Sequence, residues 1–203
     1  LPRFCIPINE HAIHDATEAL ARESLSPGRF VVVHPGSSGG PKQKDKRIPV
    51  DVARRVADAI VGSREDFSIA FIFGPDDVAL IPHFQGLGPR QAVVSDCSLP
   101  TTVAVLAQAA GFIGSDSGLG HIAAALDVPT ITLIGPTIPT ETAPYGAKAT
   151  TIKRLEDLDC QPCWFGPLQG RCPHGIRCMH ELPEADIVAA VMTWGDPAKE
   201  PPA

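Results

Sequence analysis

A cluster of hydroxyl-bearing and basic residues follows one short apolar run of this chain. The cluster begins with HPGSS at residues 34–38 and continues through Lys42, Lys44, Lys46 and Arg47. Hydroxyl groups, the N–H groups of a loop and a lysine charge are what a diphosphate requires. The residue order of a Walker loop is absent, so a solvated basic loop is an equal alternative.

A second cluster, GSDSGLGH at residues 114–121, stands between an apolar run and a segment of helical periodicity. Small residues there let the backbone approach a ligand, and the first free N–H groups of a helix can hold a phosphate. Asp116 stands where a carboxylate can accept hydrogen bonds from sugar hydroxyls. The alternative is that Asp116 or Ser117 only caps the helix and that His121 lies on its surface. The glycine spacing is not that of a dinucleotide-binding loop.

Four of the six cysteines crowd into one loop that is rich in Pro and Gly, with the spacing Cys160-x2-Cys163-x8-Cys172-x5-Cys178. Four thiolates can form a tetrahedral shell around Zn²⁺ or Fe³⁺, and His174 and His180 are substitute ligands. The alternatives are two disulfides, or reduced thiols without metal. Trp164 and Phe165 in the same loop are expected to form an interaction surface or to cover the metal.

The two polar clusters are positioned by alternating strands and helices. Apolar runs predict strands, and segments with apolar residues at helical spacing predict helices. The predicted strands lie within 29–36, 67–75, 91–96, 111–116, 130–136 and 149–155, and the predicted helices within 8–24, 52–60, 99–110, 117–127 and 183–194. This alternation indicates an α/β fold, with a Rossmann-like parallel sheet and helices on both faces. Ligands bind such sheets at the carboxyl ends of the strands, where both polar clusters stand.

Composition restricts the class of protein. The chain has 203 residues, of which 44% are hydrophobic and 20% charged, so one globular domain is expected. The net charge of -6 argues against a broad nucleic-acid interface, which needs an excess of Lys and Arg. No apolar stretch reaches the roughly 18 residues of a membrane span, and no export signal is recognisable, so a cytoplasmic protein is expected. Because the chain starts with Leu1, we also expect an upstream portion.

The order of the motifs resembles that of glycosyltransferase family 9, the ADP-heptose heptosyltransferases. HPGSS, a K-x-x-P element at 46–49, FGPDD, SDSGLGHIAAALDVPTITLIGPTIP and APYG follow one another over about residues 30–192. The resemblance implies the C-terminal, donor-binding half of a GT-B fold, whose N-terminal half is missing here. It implies three regions: an interdomain connection with the first helix at 1–29, a nucleotide-sugar-binding domain at 30–194 with the cysteine loop at 160–178, and a disordered tail at 195–203.

The resemblance also implies which residues contact each part of an ADP-linked sugar donor. The implied contacts are Ser37, Ser38 and Lys46 with the diphosphate; Asp116, Ser117, Gly118, Leu119 and His121 with the sugar and phosphates; Asp77, or with less support Asp76, with the ribose; and Cys97 and Ser98 with the adenine. For Cys97 the alternative is a plain core residue without ligand contact.

The chain departs from the family pattern in two ways. Ile48 stands where the family usually has Trp before the proline of the lysine element. The family's proposed general base is an acidic residue near the start of the N-terminal domain, so we expect no catalytic residue within this chain. Many members carry a comparable cysteine loop, and some related autotransporter heptosyltransferases bind iron there.

The implied activity is transfer of a heptosyl group, with inversion, from ADP-heptose to a lipopolysaccharide-like saccharide or to a protein. No Mg²⁺ is expected, since no pair of carboxylates faces the diphosphate. The full-length protein would associate peripherally with the inner membrane. Two alternatives are kept: half of a GT-B nucleotide-sugar epimerase, and a non-catalytic partner module built around the metal-bearing cysteine loop.

Overall fold

The computed structural model describes residues 6–38, 40 and 43–195. Its centre is a six-stranded sheet in which neighbouring strands are parallel. The strands are β1 Phe30–His34, β2 Ser68–Ile72, β3 Gln91–Val94, β4 Gly111–Ser115, β5 Thr130–Ile134 and β6 Ala149–Lys153. Their order across the sheet is β3-β2-β1-β4-β5-β6, which confirms the predicted Rossmann-like parallel sheet.

Helices connect the strands. In the described part of the chain they are α1 Glu10–Arg22, α2 Val50–Ser63, α3 Leu99–Leu106, α4 Gly118–Ala125, α5 Pro139–Thr142, α6 Arg177–His180 and α7 Glu184–Met192. The short helices α5 and α6 were not predicted, and neither were two 3-10 segments at Gln43–Lys46 and Pro75–Phe84. Pro82 lies inside the second 3-10 segment and lacks the N–H that a regular helix needs. None of these helices is long and apolar enough to cross a membrane.

Alternate side chains of the central strands pack on opposite faces of the sheet. Val31 and Val33 of β1 join an apolar cluster with residues of α2 and α7. Phe30 and Val32 join a second cluster with residues of α1, α3 and α4. Because the strands are buried on both faces, their sequences read as continuous apolar runs rather than as alternating ones.

Helix α1 shares the core of the sheet. The side chain of Asn9 caps the helix by accepting a hydrogen bond from the backbone N–H of Ala12 at 2.8 Å. Ala16 and Leu20 are buried in the second apolar cluster. The domain boundary at residue 29 therefore stays a prediction, since the helix before it packs on the strands after it. The tail at 195–203 lies outside the described residues except for Gly195, and Lys42 lies outside them too.

A tight contact between Gly111 and Trp194 yields a first prediction. A Cβ atom at Gly111 would lie 2.2 Å from the Trp194 ring. We expect Gly111→Ala to reduce the free energy of unfolding by about 1–3 kcal/mol, because the partly buried ring and the buried strand would have to separate. Gly62→Ala is the control: Gly62 lies within α2 with nothing within 4 Å of a Cβ, so this change should be neutral or stabilising. Urea unfolding of both variants checks this, and equal stability would contradict it.

Candidate functional site

The candidate site lies where the sheet reverses its winding direction. Strands β1 and β4 are neighbours, although β2 and β3 stand between them in the sequence. Connections from such a pair leave on opposite faces, which opens a crevice at their carboxyl ends. β1 ends at His34 and β4 ends at Ser115. The two polar clusters predicted from the sequence therefore flank this crevice.

The loop after β1, residues 35–38, is held from two sides. The hydroxyl of Ser115 donates a hydrogen bond of 2.6 Å to the carbonyl oxygen of Gly36. Behind the loop, the carboxylate of Asp77 takes the space that a side chain at Gly36 would need, since a Cβ there would lie 1.9 Å from its Oδ2. Asp77 Oδ1 also accepts from the backbone N–H of Ser37 at 3.2 Å. Glycine at position 36 is thus required by the close approach of this carboxylate.

Asp77 is buried and paired with Arg47. The guanidinium Nη2 of Arg47 lies 2.7 Å from Asp77 Oδ1 and donates to the carbonyl oxygen of Asp76 at 3.0 Å. Asp77 therefore supports the loop from within; it also lines the cleft beside the loop, and its expected contact with a ribose stays a prediction. The neighbouring Asp76 is exposed and lines the same cleft, so it is the better placed of the two for a ribose hydroxyl.

His34 completes the floor of the loop. Its Nδ1–H donates to the carbonyl oxygen of Ile72 at 3.0 Å, and its Nε2 lies 3.9 Å from Asp77 Oδ2. Burial lowers the pKa of His34 from its ordinary value, against smaller opposing effects of the Ile72 carbonyl and Asp77. The imidazole is therefore held as a neutral structural group at neutral pH.

The loop after β4 brings a lysine, a carboxylate and a helix N-terminus together. Lys46 Nζ lies 3.7 Å from Asp116 Oδ2, and the two side chains are 14% and 8% exposed. Asp116 Oδ2 and Ser117 Oγ are buried and have no hydrogen-bond partner among the described residues. An unpaired buried polar atom costs about 1–3 kcal/mol, so both oxygens retain hydrogen-bonding capacity that a ligand can use. The first N–H groups of α4, which begins at Gly118, add a positive electrostatic potential.

A cleft of about 470 Å³ opens beside these groups, which is a volume typical of small-ligand sites. One part of its wall is apolar and includes Leu99, which is 60% exposed. The rest carries hydroxyl, carboxylate and backbone groups. The apolar residues are Ile72, Phe73, Leu99, Leu119 and Ile122, and the polar ones include Ser38, Asp76, Ser117 and Gly118. The cleft thus suits a ligand with a flat apolar part and an anionic part.

Most of the predicted contact residues line this cleft, and Lys46 and Asp116 adjoin it. Cys97 also lines it, with burial raising the pKa of its thiol. Ser98 does not line it: its Oγ accepts from the N–H of Thr101 at 3.2 Å and so caps α3. His121 is exposed on α4 and is absent from the wall, which matches the alternative of a surface side chain. Leu99 and Ile122 were not predicted, since apolar residues at the start of a helix carry no signal of ligand binding.

The departure at Ile48 does not loosen the lysine element. Ile48 is buried in the apolar cluster with α2, and its N–H donates to the carbonyl oxygen of Pro35 at 3.0 Å. The isoleucine thus fills the space beneath the loop, where the sequence alone left the packing uncertain.

The cysteines of the loop at 160–178 are free thiols that lie near one another. Burial raises the pKa of Cys178 to about 12, with smaller effects from Cys172, Cys163 and Cys160. Within the described residues, however, no group of three or more His, Cys, Asp or Glu side chains is arranged to hold a metal ion. The ligand set predicted from the cysteine spacing is therefore not assembled in this structure.

The buried His34 yields a prediction on pH. Since its pKa is lower in the folded chain than the unfolded value of about 6.5, the unfolded chain takes up the proton first as the pH falls. This contribution to stability is complete above pH 6.5 and is lost below it, by at most about 1.4 kcal/mol per pH unit. His34→Asn keeps an N–H donor for Ile72 without a charge, so its unfolding free energy should fall less between pH 7 and 5. Urea unfolding at several pH values measures both slopes, and parallel slopes would refute the assignment.

Comparison with known proteins identifies related chains. The model of glycosyltransferase family 9 (heptosyltransferase) matches residues 6–165. Lipopolysaccharide heptosyltransferase 1 of Pseudomonas aeruginosa is 46% identical over 72 residues, which cover 36% of this chain and 20% of the relative. Lipooligosaccharide heptosyltransferase 2 of Campylobacter jejuni is 29% identical over 119 residues, which cover 56% of this chain and 36% of the relative. The matches thus span well under half of these relatives.

Solved structures share the fold. A glycosyl transferase of family 9 from Veillonella parvula superposes with a TM-score of 0.71 at 22% identity, covering 93% of this chain and 52% of that one. The E. coli heptosyltransferase WaaC with ADP gives a TM-score of 0.55 at 26% identity, over 67% and 41% of the two chains. The iron-containing dodecameric glycosyltransferase TibC from enterotoxigenic E. coli gives 0.59 at 17% identity, over 83% and 45%. Because the family model spans residues 6–165 and the fold is shared, the chain belongs to glycosyltransferase family 9.

Proposed function

We propose that this chain binds the ADP-linked sugar donor of an inverting, heptosyltransferase-type glycosyltransferase. The observation that carries the proposal is the pair of buried oxygens on Asp116 and Ser117 that have no hydrogen-bond partner within the described residues, beside Lys46 and the N-terminus of α4. Family membership supports the transferase class, and the related WaaC was solved with ADP. The family assignment does not favour the epimerase or the partner-module reading.

The cleft can hold the adenosine part of the donor. An adenine ring is flat and apolar on its faces, and the side chains of Leu99, Leu119 and Ile122 offer apolar surface of that kind. Asp76, exposed at the rim of the cleft, can accept hydrogen bonds from ribose hydroxyls. The adenosine would thus lie in the cleft and direct its phosphates toward Ser38 and Gly118.

Lys46, Ser38 and the first N–H groups of α4 can bind the diphosphate. As the bond between the sugar and ADP breaks, negative charge develops on the departing phosphate. A lysine and a helix N-terminus that are already in place stabilise this negative charge without having to move. They thereby lower the free-energy barrier of the transfer. Asp116, adjacent to the helix start, can accept hydrogen bonds from sugar hydroxyls. The acceptor oxygen attacks from the opposite face of the anomeric carbon, which inverts its configuration.

The acceptor side of the reaction is proposed to lie in another part of the parent protein. A base there removes the proton of the acceptor hydroxyl as the new bond forms. Since the curated relatives are lipopolysaccharide or lipooligosaccharide heptosyltransferases, we favour a saccharide of that kind over a protein acceptor. We place the parent protein in the cytoplasm, with peripheral association with the inner membrane.

Titration with ADP tests the proposal directly. We expect the chain to bind ADP, and we expect Lys46→Ala to weaken binding about 10- to 100-fold, because a charge-assisted contact with phosphate is worth about 1.4–3 kcal/mol. Lys44→Ala is the matched control: it removes the same charge from an exposed position two residues away, and affinity should change less than twofold. Isothermal titration calorimetry measures all three proteins.

Two outcomes would count against this site. If a folded wild-type chain does not bind ADP, the proposed donor is wrong. If both lysine variants lose the same ADP affinity, Lys46 contributes only through the overall charge of the segment and not through a specific contact. Competition with UDP adds a further check, since an epimerase half would prefer UDP to ADP.

The metal predicted from the cysteine spacing is tested separately. TibC is iron-containing, but the thiols of this chain do not form a ligand set here, and no step of the mechanism passes through a metal. If the four cysteines bind structural zinc or iron, elemental analysis should find about one ion per chain, as expected of a closed four-ligand site. The double variant Cys160→Ser with Cys163→Ser should then lose it. If the wild-type chain is free of metal after purification with reductant and without chelator, the prediction of a metal site is wrong.

A further inference from the structure

The indole ring of Trp164 covers the ammonium group of Lys46. Lys46 Nζ lies 4.6 Å from the centroid of the ring, within the range of a cation–π contact. The same atom lies 3.7 Å from Asp116 Oδ2. The ammonium group thus contacts both a carboxylate of the β4 loop and an aromatic ring of the cysteine loop.

Backbone contacts fix the ring on the carboxyl edge of the sheet. The N–H groups of Cys163 and Trp164 both donate to the carbonyl oxygen of Pro136, at 3.1 and 3.0 Å. The side-chain amide of Gln161 donates to the carbonyl oxygen of Gly135 at 2.7 Å. Gly135 and Pro136 directly follow β5, the strand beside β4. Asp116 directly follows β4, and Trp164 is hydrogen-bonded to Pro136 just after β5. Because β4 and β5 are adjacent, the two residues lie at neighbouring positions along the carboxyl edge of the sheet.

A second anchor joins the cysteine loop to the lysine segment itself. The N–H of Gly170 donates to the carboxylate of Asp45 at 3.0 Å, and Asp45 precedes Lys46 in the same 3-10 turn. The loop thus contacts two side chains of the turn, Asp45 through the N–H of Gly170 and Lys46 through the ring of Trp164. Its position and that of the ammonium group are coupled.

An aromatic ring suits this task better than a second carboxylate. A lysine side chain is long and flexible, so fixing it beforehand removes an entropic cost from ligand binding. A carboxylate would neutralise the charge and compete with the phosphate. The face of a ring attracts the cation but leaves its charge available to an anion on the open side.

From these contacts we infer that Trp164 is a positioning residue, which holds Lys46 in the orientation that binds the donor diphosphate. The inference rests on the proposed function, because it takes Lys46 as the phosphate ligand. It also gives the cysteine loop a role within the donor site. The adjacent Phe165 is 84% exposed and contacts Trp164 edge to face at 6.0 Å between ring centroids. Phe165 therefore provides a matched aromatic control that does not cover the lysine.

The experiment compares the ligand affinities of five variants of the 203-residue chain, one of which is a double variant. Trp164→Leu keeps apolar volume but has no aromatic face, and we expect it to weaken ADP binding about 3- to 10-fold, as the loss of a partly buried cation–π contact implies. Adenosine binding should not change, since adenosine has no phosphate. Trp164→Phe should restore most of the ADP affinity, and Phe165→Leu should leave it unchanged. In a Lys46→Ala background, Trp164→Leu should cause no further loss.

The opposite results overturn the inference. An equal loss of ADP and adenosine affinity, or a loss that persists in the Lys46→Ala background, would mean that Trp164 acts on the fold and not through the lysine. A Trp164→Phe variant that loses as much ADP affinity as Trp164→Leu would also contradict a cation–π contact with Lys46.

A measurement without nucleotide separates this inference from the proposed function. The rate at which an amine-reactive ester labels Lys46, read by peptide mass spectrometry, should rise several-fold in Trp164→Leu and stay constant in Phe165→Leu. Failure of the wild-type chain to bind ADP would refute the proposed function, whereas an unchanged labelling rate in Trp164→Leu would refute the positioning of Lys46. Thermal unfolding of each variant identifies any that do not fold, and Trp164→Phe with the labelling rates then decides.

Discussion

The buried carboxylate of Asp77 holds in place the loop after β1, residues 35–38. It accepts from the N–H of Ser37, pairs with Arg47 and occupies the space behind Gly36. Removing one partner of such a buried pair leaves the other charge uncompensated, so both partners depend on each other. Arg47 directly follows the 3-10 turn that ends at Lys46. The loop at 35–38 and the residue after the lysine are thereby linked through one carboxylate.

The net charge of the chain limits how it can attract an anionic ligand. The chain carries a net charge of -6, so attraction for an anion cannot come from the surface as a whole. In the proposed site it is generated locally, by Lys46 and by the N-terminus of α4, both of which lie close to Asp116. Because Asp116 lies close to the lysine, an anionic ligand must compete with that carboxylate for the ammonium group. In the proposed site, the ring of Trp164 and the helix N–H groups would favour the ligand in that competition.

The sheet and the loops that flank its crevice could be predicted because they depend on local patterns. Apolar runs that end in HPGSS or GSDSG predict strands that stop at the ligand-binding edge, and single helices between them require parallel order. Other features depend on residues far apart in the sequence. The approach of Asp77 to Gly36 joins positions 41 residues apart and leaves no trace in either motif. For Ser98 a local signal existed, since a serine two residues before a proline is typical of a helix N-cap.

Composition alone could not predict whether the cysteine loop is a separate structural module or a part of the candidate site. Its cysteine spacing predicts a metal, and as a sequence the loop reads as an insertion after the last strand. In the fold it returns to the carboxyl edge of the sheet, where Pro136 receives two of its N–H groups and Asp45 a third. These contacts connect the loop to the strand beside β4 and to the lysine turn. Because the loop is bound at both places and its Trp164 contacts Lys46, a change in its conformation is expected to alter the surroundings of that lysine.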